Sequence, residues 1–202
     1  MAIATTTRVL VVRSGPTDWD DAARLQGTTD MPVSRTGIEQ VRRCIQILEG
    51  SRLGAVWCGP DEASVQTAEL LAHTTGGVVS VADELADMNL GLWEGMLVSE
   101  LTARFPKACK AWMDDPSLVN PPGGESVTEA YERLTGCVTR ILERARAGAA
   151  IGFVLRPIAL GMVRCWLADE PTCHVWDEAQ KSAWSRWFDV RARSLARVGS
   201  AR

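Results

Sequence analysis

Arg13 and Arg156 are the side chains whose type and placement most directly suggest chemistry. Each follows a short apolar run, Arg8-Val-Leu-Val-Val12 in the first case and Ile151 to Leu155 in the second. A guanidinium is a planar fork of donors that stays protonated and clasps a phosphate or a carboxylate through parallel hydrogen bonds. Two of them at one crevice are costly unless an anion or an acidic side chain lies with them. Asp20 and Asp87 are the acids that would serve from within the chain. Two outcomes compete: a pocket sealed by Arg–Asp bridges, and a pocket that binds an anion without turning it over. Sealing is favoured, because Pro157 suits a first helical turn but removes an N–H that would otherwise meet a phosphate.

Other chemistries find less support. There are two histidines. His73 ends a predicted helix and His174 sits in the loop Glu170-Pro-Thr-Cys-His174, so both read as surface or capping residues. Six cysteines (Cys44, Cys58, Cys109, Cys137, Cys165, Cys173) are scattered without a C-x-x-C pair, which predicts reduced thiols in a cytoplasmic protein and no zinc site. No metal or cofactor is expected. The formal net charge is −3, but residues 181–202 hold six basic residues against the single acid Asp189. No uniformly basic surface for nucleic acid results. No apolar run approaches the roughly 20 residues of a membrane helix, and no secretory signal precedes Thr7.

The elements that must position the arginines follow from periodicity. Strands are predicted at 8–12, 55–57, 78–81 and 151–155, and helices at 37–48, 63–72, 127–147 and 158–167, with Ser126 as an N-cap. The stretch 13–36 reads as a long loop, and 85–122 as irregular with short helical pieces. Strands alternating with helices predict one α/β domain over 1–202, a three-layer α/β/α sandwich with a largely parallel central sheet. In such sheets the crevice lies beyond the carboxyl ends of the strands, where Arg13 and Arg156 fall. Trp184, Trp187, Phe188, Leu195 and Val198 predict a basic amphipathic helix at about 181–198. It is expected to dock on the domain, with a protein partner or a second copy as the alternative contact.

Several blocks resemble the histidine-phosphatase superfamily, the phosphoglycerate mutase-like proteins. Arg13-Ser-Gly-Pro-Thr-Asp-Trp19, Arg24-Leu-Gln-Gly27, Asp30-Met-Pro-Val-Ser34 and Gly37 resemble the family's opening R-H-G-x-T-x-W-N, R-x-Q-G, D-x-P-L-S and G. Gln66-Thr-Ala-Glu69, Gly91-Leu-Trp-Glu-Gly95 and Pro121-Pro-Gly-Gly-Glu-Ser126 continue the match in order and spacing. The resemblance implies a phosphoglycerate mutase-like fold. It also implies a phosphatase chemistry in which a histidine takes the phosphoryl group while two arginines and a second histidine hold its oxygens.

Residue by residue, little of that set is present. Arg13 matches the first arginine, Ser14 stands at the nucleophile, Ala63 at the second arginine, Asp87 at the acid, and Arg156 at the second histidine. The resemblance therefore implies a degenerate, non-catalytic member acting as a binding, regulatory or structural module. Phosphate or another small anion is the expected ligand, with Arg13 and Arg156 as its candidates. The alternative is a weak or repurposed phosphomonoesterase using Ser14 or water with Arg13, Asp87 and Arg156.

Overall fold

Four consecutive apolar residues, Val9 to Val12, form the heart of the first strand, β1 (Thr6–Arg13), and their side chains alternate between two interiors. Val9 and Val11 join one buried cluster, Leu10 and Val12 the other. A strand buried on both faces has no polar side, which is why this segment reads as a continuous apolar run. The computed structural model describes residues 6–146, 148–171, 175 and 184–191.

After β1 come α1 (Asp18–Asp21), α2 (Arg35–Gln46), β2 (Ala55–Cys58), α3 (Glu62–Thr75) and β3 (Val78–Val81). There follow α4 (Val98–Arg104), α5 (Pro106–Asp114), α6 (Val127–Glu143), β4 (Ala150–Leu155), α7 (Pro157–Ala168) and β5 (Ser185–Arg191). The sheet order is β3-β2-β4-β1-β5, parallel except for β5. Residues of α2 and α3, among them Val41, Ile45 and Leu71, fill the cluster on one face; Leu134 and Val138 of α6 and Met162 of α7 fill the other. This is the expected three-layer α/β/α sandwich.

Local signals explain the helix starts. Ser126 caps α6 through a reciprocal pair with Glu129, the Glu129 N–H donating to Ser126 Oγ and the Ser126 N–H to Glu129 Oε2. Pro157 occupies the first turn of α7. Several boundaries differ from expectation: α2 is Arg35–Gln46 against 37–48, and α3 is Glu62–Thr75 against 63–72. The 13–36 loop contains the single turn α1, nucleated by a Thr17–Asp20 capping box, and α6 stops at Glu143 rather than 147.

The predicted C-terminal helix is corrected outright over the part that is described. Residues 185–191 are a strand, paired antiparallel to β1 from Thr6↔Arg191 to Val12↔Ser185. Helical spacing groups Trp187 with Phe188, but the strand sends these neighbours to opposite faces. Trp187 packs on the α2–α3 cluster and Phe188 on the α6–α7 cluster. The physical reason is the second edge of β1, whose backbone donors and acceptors would otherwise be unpaired. Arg8 lies 4.4 Å over the Trp187 ring and Arg186 4.8 Å over Phe188. The remainder of that prediction, 181–183 and 192–198, lies outside the described residues.

Cys44, Cys58, Cys109, Cys137 and Cys165 are free thiols, and Cys173 is outside the described residues. No helix among the described residues is long and apolar enough to cross a membrane.

Candidate functional site

β1 and β4 are neighbours with Arg13 opposite Leu155, yet their chains leave for opposite faces, to α2 and to α7. That divergence opens a crevice between their carboxyl ends. Arg13 ends β1, and Arg156 is the N-cap of α7 immediately after β4. Ser14 lies between them, its N–H donating to Leu155 O at 2.9 Å. The Gly15 N–H donates to Thr67 Oγ1 at 2.8 Å, and Thr67 Oγ1 donates to Ala63 O at 2.7 Å. A Cβ on Gly15 would come within 2.8 Å of Val33 and Val41 methyl groups, so glycine is required by close approach. Ala63, in the first turn of α3, is fully buried.

The two arginines differ. Arg156 is 3% exposed and held by a fork: Nη1 donates to Asp20 Oδ2 at 3.0 Å, and Nη2 to Asp20 Oδ1 at 3.3 Å and Gln26 Oε1 at 2.6 Å. Asp20 also accepts from the Thr17 N–H and hydroxyl. Burial pushes the Asp20 pKa up, but Arg156 and the Thr17 hydrogen bonds outweigh it and leave the carboxyl below its ordinary value. The Arg13 side chain, by contrast, forms no hydrogen bond or ion pair among the described residues. Burial and the like charge of Arg156 lower its pKa, against the attraction of Asp20 and Asp87.

Asp87 is 4% exposed and caps α7 from another part of the chain. Its Oδ1 accepts from Ala159 N–H at 2.7 Å and from Met88 N–H at 3.0 Å. Burial raises its pKa to about 6 in spite of Arg156 and those two donors. Asp87 is thus drawn to the helix terminus, and Asp20 is the acid that bridges Arg156.

The favoured sealed pocket is therefore realised in one bridge only. Above the Arg156–Asp20 pair remains a cavity of about 350 Å³, with Arg13 and Asp87 also in its lining. Its wall joins the apolar side chains of Leu25, Leu90, Leu101, Trp112 and Ile158 to the polar Arg24, Gln26 and Thr102. Trp112 stacks on Trp93 with ring centroids 4.8 Å apart, which stiffens that wall.

Ser14 Oγ is buried with no hydrogen-bond partner among the described residues, and so is Arg156 Nε. His73 is exposed in the last turn of α3. It sits roughly 16 Å along the helix from the crevice end. His174 lies outside the described residues.

Two residues matter here that sequence reasoning did not assign. Gln26 joins Arg156 to the Thr17 hydroxyl, which donates to its Oε1 at 2.7 Å. Its signal was the Arg24-Leu-Gln-Gly27 block. Arg133 pairs bidentately with Glu125 and donates to the carbonyls of Glu84, Ala86 and Asp87, clamping the loop that carries Asp87. A lone arginine within a helix carries no such signal.

Comparison with known proteins identifies the family and the fold. The family model described as histidine phosphatase superfamily (branch 1) matches residues 9–194. Phosphoserine phosphatase 1 of Hydrogenobacter thermophilus is 28% identical over 137 residues, covering 68% of this chain and 65% of that protein. Glucosyl-3-phosphoglycerate phosphatase of Mycolicibacterium vanbaalenii is 29% identical over 153 residues, 76% of this chain and 67% of that protein. The chain thus spans about two thirds of the length of these relatives. Among solved structures, Bacillus stearothermophilus YhfR superposes with a TM-score of 0.77 at 26% identity, covering 84% of each chain.

Proposed function

Since this chain belongs to the histidine phosphatase superfamily (branch 1), we propose that it is a non-catalytic member that holds an anion in its crevice without turning it over. The observation that carries the reading is the buried fork of Arg156 on Asp20 and Gln26. It stands where the resemblance places the second imidazole. A guanidinium fixed in this way neither takes up nor releases a proton, so it supplies no base to the group beside it.

That group is Ser14. A serine hydroxyl attacks phosphorus only when a neighbouring base removes its proton. Ser14 Oγ is buried and has no such partner among the described residues. At position 63 a methyl group takes the place of the guanidinium that the resemblance assigns there, so charge developing on a phosphoryl group would meet fewer donors. Removing the nucleophile of a coupled site alone costs about 10⁶ in turnover in a comparable hydrolase.

A second reading has one observation in its favour. Asp87, with a pKa raised to about 6, is suited to give a proton near neutral pH. A weak phosphomonoesterase would then use water, with Arg13 and Arg156 as the anion holders. The relatives named as phosphatases are compatible with it.

Hydrolysis of p-nitrophenyl phosphate by the purified full chain separates the two. We expect wild type and Arg13→Ala both to match the buffer background. A Ser14→His, Ala63→Arg, Arg156→His triple variant serves as the comparison. Wild-type turnover that falls on Arg13→Ala and on Asp87→Asn overturns the non-catalytic reading.

A further inference from the structure

We propose that the crevice is built for an apolar monocarboxylate rather than a phosphate dianion: the carboxylate meets Arg13, and the hydrocarbon part lies against Leu25, Leu101, Trp112 and Ile158. This rests on the non-catalytic reading and names the class of ligand that the site selects.

The first argument is charge. Five charged side chains line the cavity, Arg13, Arg24 and Arg156 against Asp20 and Asp87. Arg156 is already neutralised by Asp20 through two contacts at 3.0 and 3.3 Å. Arg13 has no hydrogen-bonded or ion-paired partner among the described residues, and Arg24 donates to the Gly95 carbonyl rather than to an acid. With both aspartates ionised, the three arginines and two aspartates of the lining leave one positive charge, which matches one negative charge. A phosphomonoester carries about −1.5 to −2 at neutral pH, and its second charge would face Asp20 and Asp87 instead of a cation. Such unpaired like charge is a means of rejecting the wrong ligand.

The second argument is the wall. Sugar or glycerol phosphates need polar groups for their hydroxyls, and covering those with apolar side chains is costly. Here leucines, a tryptophan and an isoleucine supply most of the uncharged lining, beside Thr102 and Gln26, and the volume of about 350 Å³ fits a small ring or short chain. The third argument is the donor surplus. Ser14 Oγ and Arg156 Nε are buried at the ends of adjacent strands with no acceptor among the described residues. Of the two residues, Arg156 lines the cavity, where a donor without an acceptor marks a place for an acceptor-only group.

Asp87 sets the pH response. It faces Arg156, Arg13 and Asp61 as well as the Met88 and Ala159 N–H groups, and its pKa lies at about 6. Below that value it carries a proton, and the floor gains one unit of positive charge. A carboxylate that remains ionised then binds more tightly.

Isothermal titration of the full chain with 3-phenylpropanoate, phenyl phosphate and the uncharged 3-phenylpropanol tests this. At pH 7.5 we expect 3-phenylpropanoate to bind about tenfold more tightly than either of the others. Its affinity should rise several-fold at pH 5.5 and lose that rise in Asp87→Asn. Arg13→Gln should weaken it about tenfold, with folding verified by an unchanged circular dichroism spectrum. Tighter binding of phenyl phosphate at pH 7.5 without hydrolysis overturns this inference and leaves the non-catalytic reading intact, whereas hydrolysis of phenyl phosphate ends that reading. Equal affinity for the alcohol, no binding by any probe, or indifference to Arg13→Gln also overturns the inference.

Discussion

At the scale of single residues, Asp20 and Asp87 divide two jobs that one carboxylate cannot do together. Asp20 balances a guanidinium that is 3% exposed, so Asp20→Ala leaves a buried, unpaired charge. We expect a loss of about 3–5 kcal/mol, read by urea unfolding. Asp20→Ala combined with Arg156→Met should recover much of it, because the charge goes with its partner. Asp87 acts in the other direction. Its pKa of about 6 exceeds the ordinary carboxyl value, so between these two values the folded state binds more protons than the unfolded state. Stability contributed by its proton is present below pH 4 and is lost as pH rises through 6. Asp20, held below its ordinary value, contributes above that value and loses it under stronger acid. Thermal melts should therefore show Tm rising as pH falls from 7.5 to about 5, and Asp87→Asn should flatten that rise. The full shift corresponds to about 2–3 kcal/mol. That Arg156 would take an acidic partner followed from its chemistry. The choice of Asp20 did not, because it depends on α7 claiming Asp87 for its first N–H groups.

Helices and loops place these residues, and their caps are open to test. The Ser126–Glu129 capping box starts α6, and Ser126→Ala should cost about 1 kcal/mol by chemical denaturation. Farther along α6, Arg133 spends its donors on Glu125 and on three carbonyls of the 84–87 loop. Arg133→Met keeps the aliphatic stem and removes the clasp, so those carbonyls lose their charged donor. We expect faster hydrogen exchange at the Met88 and Ala159 amides, together with a loss of about 2 kcal/mol. Unchanged protection at those amides would show that α7 alone holds Asp87. Most helices and all the early strands were legible as elements, since most are a buried stripe or apolar run bounded by local turn or cap residues. Arg133 was not legible as a positioning residue, because its role exists only where a helix crosses a loop more than forty residues away in sequence.

For the whole molecule the informative element is β5. It closes the second edge of β1 and splits Trp187 and Phe188 between the two interiors. Ending the chain at residue 183 removes that cover and exposes an apolar edge, so aggregation at micromolar protein should rise and Tm should fall. A monomeric truncation of unchanged Tm would show that β5 contributes nothing to the fold. The sequence by itself determined the layer order, the family, the meeting of Arg13 with Arg156 at one crevice, and the absence of histidine from positions 14 and 156. These rest on local periodicity and on ordered motifs, which need no knowledge of distant contacts. Only the tertiary structure decided that the 185–191 segment is a strand, that Asp20 rather than Asp87 bridges Arg156, and that Arg13 lines a cavity without an ion-paired partner among the described residues. Each of those is a competition between partners remote in sequence, settled by which backbone edge, helix terminus or charge is close enough to claim the residue.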